Sequence, residues 1–216
     1  MACLAGKWGE PFTFLQMLPR MRPAVLPGCR VVVTTVIRDP LTLYPSLQRH
    51  QYDAMREYGR EALQQRCACN LSACDVLGFV AAFPNFQGWR LTSPRWLYPP
   101  LEHVGHEPMR RAATRLLDRL DLVGVFERLG EWLQLVCELA AISPCPPLPH
   151  LNAKHSTRKT EACEPPEPGA LAAAVREHAL ADVQLHAHAA ASFELALERH
   201  RRGASRVARR RRHAMA

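Results

Sequence analysis

The stretch VVVTTVIRDP, residues 31–40, constrains this chain more than any other. Its first seven residues all favour an extended backbone, and the run is continuously apolar or β-branched rather than alternating. That pattern predicts a strand over 30–37, of the kind that lies centrally in a parallel sheet with both faces covered. It then stops abruptly on Arg38, Asp39 and Pro40. In open α/β sheets, ligands bind beyond the carboxyl ends of the strands. Arg38 occupies such an end, where a guanidinium is placed to grip a phosphate through two parallel N–H···O bonds. The alternative is an ordinary salt bridge from Arg38 to an acidic neighbour.

Asp39 suits an N-cap and Pro40 a first helical position, so a helix is expected to begin here. Pro45 interrupts it, because residue 45 has no N–H to return to Leu41. Two solutions are open: a short turn over 40–44 followed by a helix from Pro45, or one kinked helix. In the first, Ser46 falls in a first helical turn, with hydroxyl and free backbone N–H donors beside Arg38.

Downstream, 53–65 and 72–82 have helical composition, and 83–100 reads as a loop rich in aromatics and prolines. Residues 107–121 are amphipathic, with Met109, Ala112, Leu116, Leu117 and Leu120 on one face. "LVGVF" (122–126) reads as a second buried strand. A core helix then carries Leu129, Trp132, Leu133, Val136 and Ala140. Residues 143–169 form a long proline-rich segment, followed by helices over about 170–180 and 182–200, with Asp182 a natural N-cap for the last. Strand, helix, strand, helix argues for an α/β domain.

Charge organises the chain into two parts. Eight arginines lie from Arg199 onward with no acidic residue among them, leaving 20 basic against 20 acidic residues before them. The net charge of +8 therefore belongs to the end of the chain. A domain over 1–198 and a disordered, Arg-rich tail over 199–216 are expected, since like charges repel along a chain. The eight cysteines lack the paired CxxC spacing of a zinc site, so no metal is expected. Cys137, inside an apolar helical run, reads as a packed thiol. His103 and His106 have ligand spacing but sit between Gly and Pro, and are read as loop histidines. No stretch reaches 18 apolar residues and no charged-then-apolar leader opens the sequence, so no spanning or targeting segment is expected within it.

The strand ending in R-D-P, with Ser46 eight residues after Arg38, resembles the 3′-phosphate-binding motif of the PAPS-dependent carbohydrate sulfotransferases of the Golgi. "NFQGWRL", with Asn85, Gln87, Arg90 and Leu91, is similar to that family's N-x-Q-x-R-x-L segment. Val123, Gly124 and Glu127 match its helix–strand–helix block. "PHLNA" (149–153) resembles the element before its basic loop, and 181–197 its terminal helix, with His186 where tyrosine is common. The resemblance spans about 6–198.

It implies a P-loop-NTPase-like sulfotransferase fold, a central parallel sheet flanked by helices, incomplete at its N-terminus. It implies 3′-phosphoadenylyl sulfate (PAPS) as sulfuryl donor, a carbohydrate or glycan acceptor, and residence in the Golgi, with membrane attachment only through an upstream anchor. Arg38 and Ser46 are implied to bind the 3′-phosphate, with Lys154, Arg158 and Lys159 closing on the nucleotide. The family's G-x-x-K-[ST]-G-[ST] loop for the 5′-phosphosulfate has no counterpart in the sequence, so a truncated member with little or no activity is expected. Lys7 and Glu10 are the candidates for the catalytic base. A non-catalytic adaptor binding polyanions through its basic tail is the competing expectation; nucleic acid is not an expected partner of the domain itself.

Overall fold

The computed structural model describes residues 31–58, 75–92, 106–148 and 166–214, with side chains described through 49 in the first segment and through 203 in the last. Strand β1 (Thr34–Ile37) leads into helix α1 (Pro40–Tyr58), followed by α2 (Val76–Ala82), α3 (Phe86–Thr92) and α4 (His106–Leu117). Strand β2 (Leu122–Val125) comes next, then a 3-10 turn over Phe126–Arg128 and helix α5 (Leu129–Leu139). Helices α6 (Pro168–His178) and α7 (Leu180–Ala214) complete the described chain. The fold is thus mixed α/β, mostly helical, with a small parallel sheet.

The two strands pair in parallel from Thr34 with Leu122 to Ile37 with Val125. Asp121 sets this register just before the strands begin. Its carboxylate accepts from the Val33 N–H at 2.9 Å, and its own N–H donates to the Val33 carbonyl at 2.9 Å. Both strands were expected to be buried; β2 is so at all four positions, whereas in β1 only Ile37 is. The reason lies in the packing, since α5 and α7 cover β2.

Two cores result. The first joins the sheet to α4, α5 and α7 through Ile37, Leu117, Val125, Leu185 and Phe193. The second joins α1, α2 and α6 through Tyr44, Phe79, Phe83 and Val175. Several expected boundaries move. The supposed loop over 83–100 contains α3, and His106 opens α4 rather than lying in a loop. In α5 the buried positions are Leu135 and Cys137, with Trp132 and Val136 partly buried against the core. Helix α7 shows no break at residue 199 and carries the arginine run to Ala214, where a disordered tail was expected. Among the described residues, no helix is long and apolar enough to cross a membrane.

Cys137 is not a free thiol. It is joined to Cys145, eight residues on, tying the end of α5 to the segment that follows. Closing a loop of that size restricts the unfolded chain, and the replacement of both cysteines by serine is expected to cost about 2 kcal/mol in denaturant unfolding.

Candidate functional site

The R-D-P corner is built from its own backbone. The Asp39 carbonyl accepts the N–H groups of Thr42 (3.0 Å) and Leu43 (2.8 Å), while the Asp39 carboxylate accepts that of Leu41 at 2.9 Å. Asp39 is therefore the N-cap and Pro40 the first residue of α1, as their chemistry predicts. Pro45 does not divide the helix, which runs unbroken from Pro40 to Tyr58 with the proline inside. Ser46 consequently lies in the second turn, not the first, and the first-turn N–H groups are already used. Any anion here must be held by side chains.

Those side chains share one side. The Arg38 Nε donates to the Thr42 hydroxyl at 3.0 Å, and its guanidinium lies 4.6 Å from the centre of the Phe126 ring. Ser46 follows Thr42 by four residues, one helical turn, so it occupies the same exposed face of α1. The Arg38 main chain is fixed by Gln87, whose amide accepts from the Arg38 N–H and donates to the Arg38 carbonyl, both at 2.8 Å. Gln87 thus pairs with the strand end as a neighbouring strand would.

Glu127 closes the corner from the turn after β2. Its carboxylate accepts the Asp39 N–H at 3.0 Å, lies 3.5 Å from the Thr42 hydroxyl, and faces His186 of α7 at 3.4 Å. Partial burial pushes this carboxyl up, but the Asp39 N–H, the backbone N–H of Glu127 itself and His186 outweigh it and hold the group below the usual carboxylate range.

Behind this surface, α3 and α7 cap each other. Buried Asp182 accepts the N–H groups of Gln87 (3.0 Å) and Gly88 (2.7 Å) in the first turn of α3. In return, Asn85 accepts those of Ala181 (2.8 Å) and Asp182 (3.3 Å) in the first turn of α7. Asn85 adopts a left-handed backbone, φ 53°, which asparagine tolerates better than most residues. Asp182 is thus no cap of its own helix, as expected from sequence, but the cap of another. Tyr44 completes the arrangement: its hydroxyl accepts the Phe86 N–H at 3.1 Å and reaches both the Phe83 carbonyl (3.1 Å) and Asp182 (3.3 Å). Burial pushes the Tyr44 hydroxyl pKa up strongly, the Asp182 charge adding to it.

Of the residues singled out from sequence, Arg38, Gln87 and Glu127 meet at the end of β1, Ser46 lies one turn further along the same face of α1, and Asn85 supports them from behind. Arg90 is exposed and lies 5.7 Å from the ring centres of Phe86 and Trp89. Lys7, Glu10, Lys154, Arg158, Lys159 and His103 lie outside the described residues. Thr42 and the capping role of Asp182 were not singled out; the i, i+4 spacing of Arg38 and Thr42 was the available signal. Among the described residues, no group of three or more metal-ligating side chains is present. Comparison with protein-family models, with curated proteins and with solved structures found no match to this chain.

Proposed function

We propose that the corner between β1 and α1 binds the 3′-phosphate of PAPS, and that the chain is a sulfotransferase-type domain of the Golgi carbohydrate class. Such a domain moves the sulfuryl group in line to a sugar hydroxyl, whose proton passes to a base. One observation carries the reading. Arg38 is held by a hydroxyl and an aromatic ring at the carboxyl end of a parallel strand, and among the described residues no carboxylate forms an ion pair with its guanidinium. A structural arginine would be paired; this one is steadied and left open to an anion, with Thr42 beside it and Ser46 one turn further along α1.

The charge around it limits what the corner does unaided. Asp39 and Glu127 flank a single guanidinium, so an incoming phosphate needs further cations. Lys154, Arg158 and Lys159 supply them in this reading. The sequence lacks the pattern that would hold the 5′-phosphosulfate, so we expect nucleotide binding from this chain and little or no transfer.

Calorimetric titration with 3′,5′-ADP tests the assignment. Loss of a bidentate, charge-assisted contact is worth about 3 kcal/mol, so Arg38→Ala is expected to weaken binding about 100-fold. Equal affinity of the wild type and Arg38→Ala would overturn the phosphate site.

A further inference from the structure

The basic end of the chain continues α7, and a helix gives its charges an order that a coil does not. At about 100° per residue, positions 199, 202, 206, 209 and 210, all arginine, fall within one arc of about 100°. Positions 193 and 197, where Phe193 and Leu197 are buried against the body, mark the other side of the helix. Arg199 and Arg202 are exposed where the described side chains end. At 1.5 Å per residue the five positions extend over about 16 Å. Arg202 pairs with Glu198 at 3.3 Å on the exposed surface, and no acidic residue follows Glu198 in the sequence.

We propose that this arginine stripe is a docking face for a glycan chain carrying sulfate or carboxylate groups. Two observations select that polyanion. The Cys137–Cys145 disulfide belongs to oxidising compartments, where the polyanions are glycans rather than nucleic acids. A helix lying on a membrane surface needs bulky apolar residues opposite its cations, and after Leu197 the chain has no Leu, Phe, Trp or Ile. The choice of glycan is in keeping with the transferase reading and rests partly on it. The stripe would hold the acceptor chain away from the nucleotide corner.

Anisotropy of a labelled heparin oligosaccharide with the full chain, at physiological salt, tests this. Each charge contact is modest but three act together, so Arg206→Ala/Arg209→Ala/Arg210→Ala is expected to weaken binding about tenfold or more. The off-stripe variant Arg201→Ala/Arg211→Ala/Arg212→Ala removes equal charge and is expected to weaken it only about twofold. Ser205→Pro keeps every charge but breaks the helix, and should also weaken binding. Equal losses from the two triple variants, full binding by Ser205→Pro, no heparin binding by wild type, or tighter binding to duplex DNA or phosphatidylserine vesicles would each overturn the proposal. Arg38→Ala should bind heparin normally. Failure of 3′,5′-ADP binding with heparin binding retained would therefore overturn the nucleotide site alone.

Discussion

Asp182→Ala is expected to destabilise the protein by about 4 kcal/mol, because it strands one buried and one part-buried N–H group, each costing about 1–3 kcal/mol without a partner. Those groups belong to Gln87 and Gly88. Tyr44 suffers less, since its hydroxyl retains the Phe83 carbonyl as an acceptor. The damage also spreads to the candidate site, because Gln87 holds the main chain of Arg38. A fall of roughly 10 °C or more in melting temperature checks the magnitude. A loss much below 1 kcal/mol would show that α3 starts equally well without this cap.

The same carboxyl has a pH signature. Burial pushes Asp182 up to about 6, against the N–H groups of Gly88 and Gln87 and the Tyr44 hydroxyl that favour its ionised form. In the unfolded chain it returns to about 3.9. Between these values the folded state holds a proton that the unfolded state has released. The contribution is therefore fully present below about pH 4 and declines as pH rises through about 6. Its total is about 3 kcal/mol, at 1.36 kcal/mol per unit. Urea midpoints of wild type and Asp182→Asn at pH 4, 5, 6 and 7 isolate it, because the variant has no proton to lose there. The stability difference should shift against wild type with rising pH; a constant difference would refute the shift.

The second large effect is steric. A Cβ on Gly124 would lie 2.3 Å from Trp132 Cδ1, 2.7 Å from its Cγ and 3.0 Å from its Cβ. The obstruction includes the root of the side chain, so rotating the indole does not relieve it and α5 must move off β2. Gly124→Ala is expected to cost about 3 kcal/mol, at the upper end for overpacking. A double-mutant cycle with Trp132→Ala should return a coupling of about 1–3 kcal/mol, the second substitution recovering part of the first. Strict additivity would place the strain elsewhere.

These two positions mark what was legible. Gly124 lies in a short apolar run that reads as a strand, but the reason for a glycine there is Trp132, eight residues later on the helix that covers β2. Asp182 reads as a helix cap, and it is one, for a helix beginning at Phe86, nearly a hundred residues earlier. Capping chemistry is local in kind, whereas the choice of helix depends on which ends the fold brings together. The same limit explains Cys137: its apolar neighbours suggest burial, and only the return of the chain after α5 brings Cys145 within 5.6 Å, Cα to Cα.

By itself the sequence determined the elements whose causes lie within a few residues. The β-branched run makes β1, the short apolar run makes β2, and Asp39 with Pro40 starts α1. Tertiary structure decided what depends on packing between distant segments. It kept α1 continuous through Pro45, removing Ser46 from the helix start. It made β2 rather than β1 the buried strand, and brought Gln87 and Glu127 to the backbone around Arg38. Propensity and capping act over one or two helical turns; burial and partner choice are settled only where separate segments meet.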